Sequence, residues 1–468
     1  MAQQLLDRTQ RRYKGILLIL VCACSLGWTA SERQNGPLAW NVGRHRVDAD
    51  IEGWPLEKVL HEIARQTGWR VWMEPGVSTR VTTRFRDLPS GEALRRLLDR
   101  MNFALLPQTN GPAHLYVFRT SLQDATQPIL SERLPSRDPQ STARLAREWI
   151  IIVKPGVDPD VLARLVGAEI VGRLDALRAY RFRFASPEAA ERARQALTTS
   201  TDVEAIEDNY QIARPSELHP VLSTSLGPPQ IRPRPVDANE KVVVALIDTA
   251  VQVLPRPLED FLLPTLTVAG TPELPADQPT HGTAMAQTAL RALEMLAGSG
   301  SGVRLLPVDV YGNQSVTTTF ELAAGIYRAV QEGGARILNL SLGSEADSPL
   351  LRNLLQQISR SGVVVLAAAG NQPTTEPVYP AAYPDVIAVT AGDRTGRIAP
   401  YANRGNFVDV VAPGASVIYH HDRPYIVMGT SAATAFASGL AAGLMEVRGL
   451  PPSKLPVALQ TILGGPSR

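Results

Sequence analysis

Cysteine is nearly missing from this chain. Its 468 residues hold two, Cys22 and Cys24, both near the N-terminus. Cleavage behind that segment leaves no cysteine, so the remaining fold owes nothing to disulfides. A charge excess of one sign is missing too. Forty-seven Lys and Arg against 45 Asp and Glu leave a formal charge of +2. No basic run is long enough to track a phosphate backbone, which excludes nucleic acid as the expected partner class. Long apolar runs are scarce. The run Gly15–Cys24 is shorter than the roughly 20 residues a good membrane span needs, and segments such as 361–369 read as buried strands.

What stands at the N-terminus is nevertheless distinctive. Arg8, Arg11, Arg12 and Lys14 precede the apolar run, and Ser25-Leu-Gly-Trp-Thr-Ala30 follows it. A positive start, a short apolar core and small residues after it make residues 1–30 a signal peptide or an N-terminal anchor. Val21-Cys-Ala-Cys24 loosely resembles a bacterial lipoprotein cleavage box, with Cys24 as the residue that would carry lipid.

The length exceeds what one core holds and predicts two to four domains. The first is expected over 50–120. Leu56, Val59, Leu60 and Ile63 recur at helical spacing, Gly68 supplies a stop, and Trp69-Arg-Val-Trp-Met73 and Val81–Phe85 read as strands. Ser90–Asp99 reads as a second helix, and Phe103–Leu106 with His114–Phe118 as a hairpin around Asn110-Gly111. Residues 31–48 show no clear period. This α+β pattern resembles the short N-terminal domains of secretins and of some outer-membrane transporters. The resemblance implies docking to an envelope protein partner through 50–120, and an extracytoplasmic setting in a bacterial periplasm or cell envelope rather than free outside the cell, with a lipid or membrane anchor in reserve. His61 and His114 are lone histidines and read as structural.

After a polar linker at 121–142, a second small domain is expected over 144–213, in the order β-α-β-β-α-β. That order makes a four-stranded sheet covered by two helices. Residues 214–240 hold six prolines and read as an exposed connector, open to proteolysis. From Lys241 the character changes. Lys241–Ile247, Val303–Asp309, Ala335–Ser341, Gly362–Ala368 and Asp385–Thr390 read as apolar strands, and 283–297, 319–333 and 348–360 read as helical. Buried strands alternating with helices predict an α/β domain over 241–468, a central mainly parallel sheet between helical layers, preceded by two small α+β domains. Functional groups gather at the carboxyl ends of such strands.

Three polar residues stand at such places. Asp248 ends the first strand, His281 lies in Thr280-His-Gly-Thr283, and Ser431 in Gly429-Thr-Ser-Ala432. Each alone has an ordinary reading as a cap, a turn residue or a buried hydrogen-bonding group. Together they supply a nucleophile, a base and an orienting acid, the set that acyl transfer needs.

At this point the chain resembles the subtilisin-like serine proteases, the subtilases, over about 241–455. The resemblance is carried by Asp248-Thr-Ala, His281-Gly-Thr, Asn339-Leu-Ser-Leu-Gly343, Ala369-Gly-Asn371, Tyr379–Val389, Val408–Gly414 and Gly429-Thr-Ser431, in the family order. It implies a subtilisin-like three-layer fold and a serine endopeptidase acting through an acyl-enzyme. Ser431 would be the nucleophile, His281 the general base and Asp248 its orienting partner. Asn371 and the Ser431 backbone N–H would stabilise the oxyanion. Ser341, Leu342 and Gly343 would form a wall of the substrate groove for a peptide or protein. Ala250 departs from the usual glycine there and would move the aspartate loop if that position needs a left-handed backbone. Ala284-Met-Ala, Pro373 and Ala435 are further departures; none removes a reacting group. No cofactor is expected for the chemistry, no metal site is indicated by the scattered carboxylates, and a structural calcium is left open.

Residues 144–213 resemble the inhibitor-like propeptide of subtilases through Ile151-Ile-Val-Lys-Pro-Gly156 and Val203–Tyr210. This implies a zymogen whose own prodomain is its first partner, with self-cleavage around 211–235. The alternative reading is a catalytically inactive protein that binds peptides in the same groove or docks at the envelope.

Overall fold

The computed structural model describes residues 37–74, 77–99, 101–108, 111–119, 127–129, 144–215, 218–220, 227–237, 241–393 and 396–465. The leader with Cys24 lies outside them. The first unit runs through β1 (Leu38–Asn41), β2 (Arg46–Pro55), α1 (Leu56–Thr67), β3 (Arg70–Met73), β4 (Arg80–Pro89), α2 (Ser90–Leu97), β5 (Asn102–Gln108), β6 (Gly111–Phe118) and β7 (Gln127–Ile129). Val47, Ala49 and Ile51 of β2 are buried while the residues between them are exposed, the alternation of a half-covered strand. Arg46, Asp48 and Asp50 alternate with them, so this strand period begins at Arg46, inside the 31–48 stretch expected to show none. Leu56, Val59, Leu60 and Ile63 line the buried face of α1 as their spacing predicts. Gly68 ends the helix with a left-handed backbone, φ 72°, open to glycine at little cost. The sheets β1-β2-β4 and β5-β6-β3-β7 share one core with both helices.

The second unit comprises β8 (Arg144–Val153), α3 (Pro159–Val166), β9 (Glu169–Leu174), β10 (Ala179–Arg183), α4 (Pro187–Thr198) and β11 (Val203–Ala213). Asp158 caps α3 and Ser186 caps α4, with Pro187 in its first turn, where a missing N–H removes no helix bond. Trp149, Phe182 and Phe184 form the centre of its core. The expected four strands are present, but the sheet has a fifth member from the next domain.

The remainder contains β12 (Leu218–Pro220), β13 (Arg232–Pro233), β14 (Val243–Asp248), β15 (Leu266–Thr267), α5 (His281–Ala297), β16 (Gly300–Ser301), β17 (Arg304–Asp309), β18 (Val316–Thr318), α6 (Thr319–Gln331), β19 (Ile337–Leu340), α7 (Pro349–Arg360), β20 (Val364–Ala368), β21 (Ile387–Gly392), β22 (Val410–Pro413), β23 (Ala415–His420), β24 (Arg423–Met428), α8 (Thr430–Arg448) and α9 (Leu455–Leu463). Seven parallel strands lie in the order β15-β17-β14-β19-β20-β21-β22. Alternate residues of β14 feed two cores. Val243, Ala245 and Ile247 pack with α6 and α7, and Val244 and Leu246 with α5 and α8. This is a three-layer α/β domain, and each buried Val, Leu or Ile contributes roughly 1.5–3 kcal/mol.

The proline-rich connector is less exposed than its composition suggests. Its β12 pairs with β24 and its β13 with β16, and Ile231 is fully buried. Prolines at strand edges leave one rim of the backbone for pairing.

Candidate active site

Two helices begin at the site. His281 is the first residue of α5, which Thr280 caps, and Ser431 is the second residue of α8, entered through Gly429 at φ 131°. Both helices are rich in small residues, which lets them approach closely. A Cβ on Gly439 would stand 2.0 Å from the carbonyl oxygen of Ala289. Near the head of each helix, Ala284 and Met285 share a cluster with Ala432 and Ala435. The departures from the usual residues at 284, 285 and 435 are therefore part of this contact.

Asp248 comes from the carboxyl end of β14. His281 Nδ1 lies 2.9 and 2.8 Å from its two carboxylate oxygens, positioned to donate. Asp248 is fully buried, and His281 and Ser431 nearly so. The Thr249 N–H donates to Asp248 Oδ1 at 2.6 Å, and Thr249 Oγ1 accepts from the Gly282 N–H at 2.8 Å. Thr249 thus ties the end of β14 to the start of α5. A Cβ on Gly282 would stand 2.1 Å from the Thr249 carbonyl oxygen, so the glycine after the histidine is a steric requirement. Ala250 does not have a positive φ. Its methyl group is compatible with the loop, and the aspartate is not displaced.

Ser431 and Ser341 are joined twice. The Ser431 hydroxyl donates to the Ser341 carbonyl at 3.2 Å, and the Ser341 hydroxyl to the Ser431 carbonyl at 3.1 Å. The Asn339 amide donates to Ser341 Oγ at 2.9 Å, and Ser438 Oγ donates to Asn339 Oδ1 at 3.1 Å. This buried ring fixes Ser341-Leu342-Gly343 against the head of α8. A Cβ on Gly343 would meet the Tyr379 carbonyl oxygen at 2.9 Å. Asn371 Oδ1 accepts from the Thr430 N–H at 2.9 Å, which sets the amide with its NH2 end facing away from that bond. Of the residues singled out for the site, Ser341, Asn371 and Ser431 are thus held together at the start of α8, and Asp248 and His281 at the start of α5, the helix packed against it; Cys24 lies outside the described residues. Thr249, Thr430 and Ser438 were missed; short polar residues beside apolar helices carry no periodic signal. Among the described residues, no group of three or more His, Cys, Asp or Glu side chains could hold a metal ion.

The chain itself pairs with the strand that leads into Ser431 and with β18. Gln211, Ile212 and Ala213 of β11 pair antiparallel with Thr318, Thr317 and Val316 of β18, and the Arg214 N–H donates to the Ser315 carbonyl at 2.9 Å. Leu218, His219 and Pro220 of β12 then pair with Val427, Ile426 and Tyr425 of β24, the strand that leads into Ser431. The second unit is clamped beside it. Asn209 Oδ1 accepts from Thr319 Oγ1 and the Phe320 N–H at 3.1 and 3.3 Å. Glu207 accepts from Ser348 and Leu350 at the start of α7. Arg181 pairs with Glu321. Burial raises the pKa of both Glu207 and Glu321 above the ordinary range. The first unit also reaches the cleft: Trp72 and Tyr116, stacked at 4.8 Å, pack with Met428.

Comparison with known proteins adds the family. Residues 239–460 match the model of the Subtilase family. Thermitase of Thermoactinomyces vulgaris is 30% identical over 246 residues, covering 51% of this chain and 88% of thermitase. A thermophilic serine proteinase of Bacillus sp. strain AK1 is 33% identical over 204 residues, 42% of this chain, and the chain spans only about half (51%) of that protein's length. The crystal structure of fervidolysin from Fervidobacterium pennivorans shares the fold at a TM-score of 0.53 and 18% identity, covering 69% of this chain and 58% of that one. The relatives overturn one expectation. They are secreted extracellular enzymes, and no helix among the described residues is long and apolar enough to cross a membrane. The expected periplasmic or envelope setting is therefore corrected, while the anchor expected in residues 1–30 lies outside the described residues. An export leader specifies passage out of the cytoplasm, and a resemblance in domain pattern does not specify where the passage ends.

Proposed function

The chain belongs to the subtilase family of serine endopeptidases, and we propose that Asp248, His281 and Ser431 hydrolyse peptide bonds in a protein made as a self-processing zymogen. The observation that carries the chemistry is the buried Asp248–His281 pair at the head of two tightly packed helices, the second of which bears Ser431. In this reading Ser431 Oγ bonds to the scissile carbonyl carbon as His281 takes its proton. Asp248 holds the imidazole and stabilises its positive charge. The oxyanion is met by the Asn371 amide and the Ser431 N–H; one such donor is worth roughly 3 kcal/mol in the transition state. His281 then protonates the leaving nitrogen, the C–N bond breaks, and water repeats the sequence on the acyl-enzyme, restoring Ser431. Protein groups alone carry these steps.

The zymogen reading draws support from the chain's course. Strand pairing on β18 up to Arg214 and on β24 from Leu218 supports a cut between those two residues. That is narrower than the expected window of 211–235. Residues 144–213 act as the inhibitor, since they add a strand to the enzyme's edge, the mode by which extended peptides bind exposed strands. Residues 50–120 serve as a docking unit for a protein partner. Their Trp72 and Tyr116 face is occupied by Met428 in the intact chain, so a partner on that face is expected to engage only after processing.

Mass spectrometry of the purified native chain and of Ser431→Ala tests the core of the proposal. The native chain is expected to appear as fragments cut between Arg214 and Leu218, and the variant to stay whole at that place. Identical processing of both would remove Ser431 from the role of nucleophile. Labelling of Ser431 by a fluorophosphonate after processing separates an enzyme from an inactive peptide-binding protein of the same shape.

A further inference from the structure

We propose that the cleft holds a subsite for a basic side chain, built from Tyr311, Gly312 and Asp309, and that the enzyme favours substrates with arginine at the position Arg214 takes in its own chain. The proposal deepens the proteolytic reading and rests on it. Asp309, the last residue of β17, and the loop after it supply the three groups. The Arg214 guanidinium donates to the Gly312 carbonyl at 2.5 Å and lies 5.7 Å from the centre of the Tyr311 ring. A planar cation over an aromatic face with a carbonyl at its rim is the arrangement that recognises arginine.

Asp309 gives the subsite its charge. It is fully buried. Its Oδ1 accepts from the Tyr311 and Gly312 N–H groups at 3.0 and 3.1 Å, so it also shapes the loop. Its Oδ2 is buried without a hydrogen-bond partner. Burial raises its pKa, and the positive charge of Arg214 pulls it down. A buried carboxylate favours an approaching cation. In the intact chain Arg214 is that cation; once the prodomain leaves, a substrate side chain takes its place.

Tyr311 reads the backbone as well. Its hydroxyl donates to the Ala213 carbonyl at 3.0 Å, one residue before the arginine, while its ring faces the guanidinium. One side chain thus sets the register of the bound strand and the chemistry of the next side chain. Gly312 has φ 53°, and a Cβ there would stand 2.3 Å from the Ala269 carbonyl oxygen. The loop therefore holds one shape, and its carbonyl a fixed direction.

The test uses the self-processed enzyme and quenched fluorescent peptides copying residues 209–220, with Arg214 kept or replaced by Lys, Ala or Glu. The expected kcat/KM falls roughly tenfold from Arg to Ala, the scale of a cation–π contact joined to a charge-assisted bond, with Lys between them and Glu lowest. Asp309→Asn and Tyr311→Leu are each expected to shrink the Arg-to-Ala ratio toward one, whereas Tyr311→Phe, which keeps the ring, preserves the ratio while slowing both peptides. Equal cleavage of the Arg, Ala and Glu peptides by the unaltered enzyme overturns the subsite and leaves the protease reading standing, even where a variant fails to fold. No cleavage of any peptide, with Ser431 unlabelled by fluorophosphonate, overturns the protease reading and the subsite with it.

Discussion

The Glu207 carboxylate accepts a hydrogen bond from the Leu350 N–H at 3.1 Å, so a side chain of one domain caps a helix of another. Ser348 Oγ donates to the same oxygen at 3.1 Å. A little further along the chain, Asn209 and the β11–β18 ladder repeat the pattern at the start of α6. Helix N-termini carry unsatisfied N–H groups and a partial positive charge, and the inhibitor-like unit supplies acceptors to two of them. Glu207→Ala is expected to remove about 1–2 kcal/mol from this interface. The processed but still bound 144–213 segment should then leave faster. The onset of peptide hydrolysis after processing measures it; an unchanged lag would show that the cap adds nothing to inhibition.

The same contact predicts a pH dependence. Burial raises the pKa of Glu207 and of Glu321 above 4.5, so each binds a proton more tightly in the clamped state than when free in water. Their linked contribution to clamping is present in full below the free value and is lost as pH rises through the raised values. Release of the processed inhibitor is therefore expected to accelerate as pH rises above the ordinary carboxylate range. Glu207→Gln, which cannot ionise, should flatten part of that slope. Release that slows with rising pH would reverse the expected sign and remove these two carboxylates from control of the clamp.

Asp248 acts through His281 in the proposed mechanism, and Asn371 through the oxyanion, so their variants should fail differently. Asp248→Asn is expected to lower kcat by roughly 10⁴, because the wrong imidazole tautomer is then favoured. Asn371→Ala should lower kcat by about 10²–10³ with KM little changed. Steady-state kinetics on a peptide series separates the two. A large rise in KM for Asn371→Ala would place that residue in ground-state binding instead.

The central sheet was legible because β14, β19 and β20 are buried on both faces and read as unbroken apolar runs. Asp248, His281 and Ser431 were legible because each ends or opens such an element. The link between the second unit and the enzyme was not. β18 is three residues long, Val316-Thr-Thr318, too short to show a period, and its pairing with β11 is set by tertiary packing. Tyr311 and Asp309 escaped notice for a related reason. Asp309 ends β17 just as Asp248 ends β14, and the two strands pair at those residues. Only the fold separates the carboxylate beside the histidine from the one beside the connector. The connector itself looked bare because proline content speaks to the backbone and not to Ile231, whose side chain is buried against the α5 and α8 side of the sheet.

Gly282 and Ala250 face the same loop from opposite sides, and they predict opposite outcomes. A Cβ on Gly282 would meet the Thr249 carbonyl oxygen at 2.1 Å and the Ala250 carbonyl oxygen at 3.3 Å. Both contacts are backbone, so neither can yield by a rotamer change. Gly282→Ala should push α5 away from β14, costing about 1–3 kcal/mol as overpacking does and lengthening the Asp248–His281 contact. Ala250 lies in an ordinary backbone region and is buried. Ala250→Gly, which restores the more usual residue, should leave kcat unchanged and lower stability by about 0.4–1 kcal/mol through added freedom in the unfolded chain. Thermal unfolding and peptide hydrolysis on both variants, in the Ser431→Ala and native backgrounds respectively, measure the two effects apart. A gain in kcat for Ala250→Gly would mean that the methyl group does hold the aspartate loop off its best position.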